Sequence, residues 1–455
     1  MNLSLLRLFK QLVAVTAIGT LSAHSQLPPN SLLKIERPTS GSSAVVTVVD
    51  PGNHIWVWQS SSDLQTWTNL ETWKVHNGNF HRTVSTASPS PRLFYRTVYD
   101  PTRVDLTSTV ATALLLPATL ANYANPVLPG AFLVQPILGQ DNTPQNNPVS
   151  NSAATLGRIL FYDKRLSLNQ TISCSSCHQR EHGFSDSKRF SVGFLGGLTP
   201  RNSMGLANAR WYQRRAFFWD ERAATLEDQV LQPIQNSVEM GMSLPELVNR
   251  LSGEPFYSTL FTNAFGSPTI TSNLISRALA QFVRSIISTQ TKYDVGAVSN
   301  FTNFTAQENL GRQIFQTPTL GNCAACHGTD NFVPGNAINN NGLENPYIDK
   351  GVGALTLRPQ DEGLFKVPSL RNIELTAPFM HDGRFATLEE VVNFYNAGVV
   401  NHPNLSPPLR NPNGTPRRLN LSADQKAALV AFLKTLTDNT LVNDAKFADP
   451  FNYGN

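Results

Sequence analysis

All four cysteines of this 455-residue chain fall in two copies of one pattern, Cys174-Ser-Ser-Cys177-His178 and Cys323-Ala-Ala-Cys326-His327. No other feature constrains the fold as much. Two thiols one helical turn apart add across the two vinyl groups of one porphyrin, and the adjoining histidine then sits under the iron as an axial ligand. The rival readings of these cysteines are a four-cysteine zinc site and a redox dithiol. A zinc site accounts for the sulfurs but not for a histidine directly after each pair. The pattern therefore predicts two covalently bound haem c groups, with His178 and His327 on their irons. No cysteine is left over for a disulfide.

Covalent haem attachment takes place outside the cytoplasm, and the N terminus agrees. Arg7 and Lys10 lead into a short apolar run, Leu12 to Leu21, and Ala23-His24-Ser25 offers the small residues a signal peptidase accepts. Residues 1–26 are read as an export signal cleaved between Ser25 and Gln26, which sends the mature chain to the periplasm. The run is well short of the ~20 residues a spanning helix needs, and no later stretch is long and apolar enough, so the chain is read as not transmembrane. The net charge is +4. With no basic run and no phosphate-cradling glycine loop, nucleic-acid binding is set aside.

Residues 27–100 read as a small all-β module. Ala44–Val49 is a β-branched run, Asp50-Pro-Gly-Asn53 a turn, and Ile55–Trp58 and Leu93–Val98 are further strands. Residues 101–150 are rich in Pro, Asn and Ala and read as a linker with little structure of its own. From Ala153 the pattern turns helical. Leu274, Ile275, Ala278, Leu279, Phe282, Val283, Ile286 and Ile287 share one helical face. Thr305–Glu308, Thr387–Glu390 and Ser422–Gln425 are capping boxes. The expected fold class is mainly α: two cytochrome c-like haem domains packed together, 151–300 and 301–440, with the β module in front and a tail at 441–455. Outside the two haem motifs little repetition is visible.

Several further words occur in order: Leu156-Gly-Arg-Ile-Leu-Phe161, Pro200-Arg-Asn202, Phe218-Trp219-Asp220-Glu-Arg222, Val238-Glu239-Met240 and Leu375-Thr-Ala-Pro-Phe-Met-His381-Asp-Gly383. Through them the chain resembles the bacterial di-haem cytochrome c peroxidases and the related MauG proteins, from about Leu156 to Leu436. The resemblance implies a peroxidatic haem in the N-terminal half and an electron-transfer haem in the C-terminal half. Glu239 then matches the catalytic acid over the open iron, with Gln229 and Pro233 as its neighbours. A carboxylate there can take a proton from the inner oxygen of peroxide and return it to the outer one before the O–O bond splits. Trp219 matches the tryptophan between the haems. Asn202, Thr376 and Pro378 match a calcium site, a donor set of one side-chain oxygen plus carbonyls that suits this hard ion.

Two departures stand beside these matches. Many family members close the reacting haem with a histidine sixteen residues after the proximal one; here that position is Phe194, which cannot bind iron. His182, four residues past His178, stays on the proximal side. The resemblance therefore implies an open reacting haem that needs no reductive activation. Fourteen residues past His381, where many members carry methionine, this chain has Tyr395, as in MauG-type proteins. A phenolate there favours the oxidised metal; the alternative is a core tyrosine. Met204, Met240, Met242 and Met380 are the sulfur alternatives.

Three functions follow as expectations. The first is peroxide reduction at the N-terminal haem, with electrons passing through the C-terminal haem from a small cytochrome or cupredoxin donor. The second is MauG-like oxidation of a protein or organic substrate. The third is a non-catalytic electron carrier, which needs both irons capped. The resemblance also admits a homodimer.

Overall fold

The two capped helical regions expected from the pattern form the same object twice. In the computed structural model α1 (Asn151–Tyr162) crosses α3 (Ser272–Ser285), and α2 (Leu226–Gln235) lies between them in the chain. In the second half α4 (Ala306–Gln316) crosses α6 (Ala423–Lys434), and α5 (Leu388–Asn393) lies between. Both crossings depend on a glycine. A Cβ on Gly157 would overlap the carbonyl oxygen of Ala278 and come within 2.8 Å of Phe282 Cβ; one on Gly311 would overlap that of Ala428 and come within 2.8 Å of Phe432 Cβ. Only a residue without a side chain lets the backbones approach so closely.

Each crossing carries the same aromatic triad. Phe161 meets Phe184 at 6.3 Å and Phe282 at 5.2 Å between ring centroids. Phe315 meets Phe332 at 5.8 Å and Phe432 at 5.1 Å. All six rings are buried, each contributing on the order of 1.5–3 kcal/mol by leaving water. The repetition is thus deeper than the sequence suggested. It rests on a glycine, a few phenylalanines and the short words Leu-Gly-Arg and Ala-Thr-Leu-Glu, with free variation between them.

The structure describes residues 12–13, 32–36, 43–50, 54–74, 78–85, 94–104, 110–335 and 338–452. They fall into two compact units, 1–118 with 452–455, and 119–451. In the first unit β3 (His54–Ser61) pairs antiparallel with β4 (Thr68–Lys74) and β6 (Phe94–Val104), and β6 also pairs with Leu12–Val13. A second sheet joins β1 (Leu32–Glu36), β2 (Ser43–Asp50) and β5 (Gly78–Ser85). The strands read at 44–49, 55–58 and 93–98 coincide with β2, β3 and β6. Apart from Leu12–Val13 the export signal, and the turn at 51–53, lie outside the described residues.

In the second unit the three expected capping boxes are all formed, at Thr305, Thr387 and Ser422. The helix read from Leu274 to Ile287 is α3. It is buried on nearly all sides, because Arg284 on its other face is matched by Glu227 of α2 at 2.6 Å.

Three boundaries need correction. The stretch read as a linker, 101–150, does lack long elements, but from Thr119 it belongs to the helical unit: Tyr123, Phe132 and Ile137 are buried, and Phe132 meets Trp211 at 4.8 Å. The stretch read as a tail is also core. Phe447 packs between Phe184 and Phe282, and Arg158 and Tyr162 hold the carbonyls of Lys446 and Phe447 at 2.9 and 2.6 Å. Finally, the boundary placed at 300 cuts through a cluster. Tyr293 packs on Phe301, Phe332 and Phe432 of the second half.

Candidate haem sites

Each Cys-x-x-Cys-His segment forms a single 3-10 turn, in which the histidine N–H donates to the carbonyl of the first cysteine at 2.9 Å. In the second motif Cys323, Cys326 and His327 all line one slot. His178 Nδ1 is 2.9 Å from the Phe184 carbonyl and 3.2 Å from Ser203 Oγ; His327 Nδ1 is 3.3 Å from the Phe332 carbonyl. A backbone acceptor holds the proton on Nδ1 and leaves the Nε2 lone pair free for a metal. Phe184 and Phe332 are also the aromatics of the two triads, so the same residue packs the core and aims the ligand.

Burial lowers the pKa of both imidazoles, His327 to about 4. They are therefore neutral and able to ligate. Burial pushes the Cys174 and Cys323 thiols up to about 12 and those of Cys177 and Cys326 up to about 11. A redox dithiol needs the opposite shift. Among the described residues no group of three or more His, Cys, Asp and Glu is placed to hold a metal ion, so the four cysteines do not converge as a zinc site would require. The slot around the second motif is apolar. It is walled by Phe379, Leu388, Val391, Val392, Leu429 and Leu433. Paired sulfurs, an oriented imidazole and an apolar slot fit a porphyrin.

The expected distal residues divide between the two halves. In the first, Asn236 follows α2 and its side chain accepts from the N–H groups of Val238 and Glu239 at 2.8 and 3.2 Å. The loop 193–197 is zipped onto this segment. Phe194 N–H donates to Glu239 O at 2.9 Å, and a Cβ on Gly193 would overlap the Val238 carbonyl. The Phe194 ring lies directly on Gly241, which takes a φ of 65°. Glu239 is half-buried. Burial raises its carboxyl above the usual glutamate value, and Arg222 pulls the other way. Its charge reaches both Cys174 and Cys177. Gln229 and Pro233 sit one turn apart on α2.

In the second half, Tyr395 lies in a π-helical turn, Phe394–Gly398, that continues α5. Such single turns recur at functional sites. Tyr395 lines the cavity with Cys323, Cys326 and His327. Burial raises its phenol well above the ordinary value, with Asn341 opposing by a hydrogen bond. Met380 lines the same cavity, its sulfur 3.5 Å from Asn341 Nδ2, so two candidate iron ligands face one space.

Trp219 connects the sites. Its indole N–H donates to the Asn202 carbonyl at 2.9 Å. The next residue, Ser203, touches His178, and the indole itself lines the second cavity at 6.4 Å from the His381 ring. Asn202 donates its backbone N–H to the His381 carbonyl at 2.8 Å and its side-chain amide to the carbonyls of Lys188 and Arg189, both at 3.2 Å. Thr376 lines the cavity with Asn202, and its methyl group stands 3.0 Å from a Cβ placed on Gly183. Pro378 follows two residues later.

Several contributors were not singled out from sequence: Ser203, Asn341, Lys366, and an ion network in which Arg201 binds Asp220 and Asp349, each at 2.6 Å. Arg201 and Asp220 do lie within two of the sequence words, Pro200-Arg-Asn202 and Phe218-Trp219-Asp220.

The model of the di-haem cytochrome c peroxidase family matches residues 151–299. The chain is 30% identical over 298 residues to the methylamine utilization protein MauG of Methylophilus methylotrophus, covering 66% of this chain and 86% of that one. The chain belongs to the di-haem cytochrome c peroxidase and MauG family. It is 32% identical over 308 residues to the cytochrome c551 peroxidase of Nitrosomonas europaea, covering 67% and 84% of the two chains. Among solved structures it is similar to a MauG-like protein associated with microbial copper homeostasis, at 35% identity and a TM-score of 0.62 over 70% of this chain and 98% of that one. The diheme peroxidase BthA of Burkholderia thailandensis shares the fold at 24% identity, with a TM-score of 0.56, covering 66% of this chain and 90% of that one. Membership implies two haem c groups and, at the level of the family, a haem-dependent peroxidase. Among the described residues of this family member, no helix is long and apolar enough to cross a membrane.

Proposed function

We propose that the protein is a periplasmic peroxidase that reduces hydrogen peroxide beside Cys174, Cys177 and His178, with Glu239 handling the proton. The observation that carries this reading is the position and state of Glu239. It is half-buried, within electrostatic reach of both cysteines, and its carboxyl is raised by burial. When bound, the two haems supply the redox chemistry of iron. The Glu239 carboxylate takes the proton from the inner oxygen of peroxide and delivers it to the outer oxygen, which leaves as water. A raised carboxyl is the stronger base, and Arg222 opposes the rise. Phe194, pressed on Gly241, offers no ligand to close this face and helps to exclude water. His178 is held by Phe184 and Ser203, Trp219 is a stepping stone for electrons between the sites, and Gln229 borders the acid.

In the second half His327 and Tyr395 would hold the iron, and electrons from a small cytochrome or cupredoxin would enter there. Asn202, Thr376 and Pro378 would hold a calcium ion. A second reading is favoured by Tyr395 itself. A phenolate on the second iron stabilises its oxidised form, which suits oxidation of a protein or organic substrate better than reduction by a soluble cytochrome.

The test is to mix the fully oxidised protein with hydrogen peroxide, without reductant, and follow the visible spectrum by stopped flow. A fast change at both haems is expected. No change until half-reduction would mean that a ligand closes the first iron, and no reaction even then would leave an electron carrier.

A further inference from the structure

Two buried cations line the cavity around Cys323, Cys326 and His327, and they are not equivalent. Arg371 is fully matched: its guanidinium makes two bonds of 2.8 Å to the Asp294 carboxylate and others to the carbonyls of Asp330 and Ser288. Lys366 is not. It lies on β8 (Phe365–Lys366), which pairs with β7 (Ile338–Asn339), and its backbone N–H donates to the Trp219 carbonyl at 2.8 Å. The residue is 8% exposed. Nζ stands 3.3 Å from the centroid of the Tyr212 ring and 5.1 Å from that of Phe217, and its hydrogen bond goes to the Ala216 carbonyl at 3.4 Å.

Among the described residues no carboxylate forms an ion pair with Lys366. The nearest acid to act on it, Glu221, is already held by Tyr212 at 2.5 Å and by Arg214 at 2.7 Å. Across Phe365 lies His381, stacked on that ring at 3.9 Å and kept low by burial against the pull of Asp382 and Asp349; Arg201 stands beyond it. A buried ammonium facing rings and one carbonyl is strongly disfavoured unless an anion joins it. Burial holds Lys366 down to about 7 even against the opposing pull of Glu221.

The group that fits this cavity brings such an anion. A porphyrin tethered by its vinyl edge at Cys323 and Cys326 carries two propionate carboxylates on the opposite edge, and these too need a partner in an apolar slot. We propose that Lys366 is the counter-ion of a haem propionate, donating from Nζ to the carboxylate of the porphyrin held at Cys323 and Cys326. The proposal rests on the two-haem reading above but on none of its steps. The Tyr212 and Phe217 rings fix the ammonium by cation–π attraction, and Arg214 with Glu221 keeps the nearest protein acid from competing.

The test uses the full-length, haem-loaded protein. The haem count is taken first, by the pyridine haemochrome spectrum, and the midpoint potential of each haem is then measured spectroelectrochemically between about pH 6 and 9, a window spanning histidine and lysine titration. Lys366→Met and Lys366→Gln should each retain two haems, lower the potential of the second haem because a positive charge is lost beside it, and shift the first haem less. Lys366→Arg should restore the parent value. In the parent, a paired ammonium stays charged, so the second potential should show no break near neutral pH.

Variants with two haems and unmoved potentials would overturn the proposal and leave Lys366 as a packing residue of the aromatic cage. A break near pH 7 in the parent would overturn it even if every variant failed to fold. A parent that carries no haem would overturn the two-haem reading as well, and so separates the two failures.

Discussion

The N-terminal and C-terminal halves of the helical unit are built alike and finished differently. Gly157 on Ala278 repeats as Gly311 on Ala428, and Phe161, Phe184 and Phe282 repeat as Phe315, Phe332 and Phe432. His178 leans on the Phe184 carbonyl as His327 leans on that of Phe332. Even the helix over each site starts in the same way, with Thr225 and Thr387 as N-caps after an alanine. Eight residues past each cap the halves part: the first has Pro233 and the second Tyr395. Proline has nothing to offer a metal, whereas a phenol does. On the proposed reading the common scaffold holds a haem in each half, and the residue set over it decides whether that iron reacts or only stores charge.

The sharpest way to break this contrast is at Glu239, which has no acidic counterpart: the residue fourteen past the second cap is Asn401. Glu239→Gln should slow the reaction with peroxide by about 10²–10⁴-fold, the usual worth of a positioned acid–base group, with both haems still attached. The sign of the pH dependence follows from the raised carboxyl. The parent reaction should be fast above the pKa of Glu239 and fade as pH falls through it, at a pH above the ordinary glutamate range. Rates in the Gln variant that match the parent at every pH would remove Glu239 from the mechanism.

A smaller effect tests the likeness rather than the difference. Gly157→Ala and Gly311→Ala each force a methyl group into a helix backbone, and each should cost about 1–3 kcal/mol. Thermal melts of the haem-loaded variants, followed by circular dichroism, should show similar losses. Tolerance at one position and collapse at the other would mean that the two crossings do not carry equal loads.

The haem motifs, the capping boxes and α3 were legible in the sequence because each is a local signal with a fixed spacing. The duplication was not, since a crossing needs only one glycine and one well-placed phenylalanine, and everything between can drift. Residues 119–150 and 441–447 were misread for a related reason. They have no period, and they are held by single anchors such as Tyr123, Phe132 and Phe447, whose burial is visible only once the partner surface exists. Lys366 was passed over because a lone lysine is nearly always a surface residue. The resemblance led to Glu239 and Tyr395; the geometry adds the loop that seats Phe194 and the presence of Met380 beside the phenol.

The central claim, one open iron and one closed iron on the same scaffold, is tested most directly by the electron paramagnetic resonance spectrum of the fully oxidised protein. The account predicts one high-spin ferric signal, from the site at His178, and one low-spin signal, from the site at His327, which Tyr395→Phe alters. A low-spin signal unchanged in that variant would assign the ligand to Met380. Two low-spin signals in the parent would contradict the account, because both irons would then be capped.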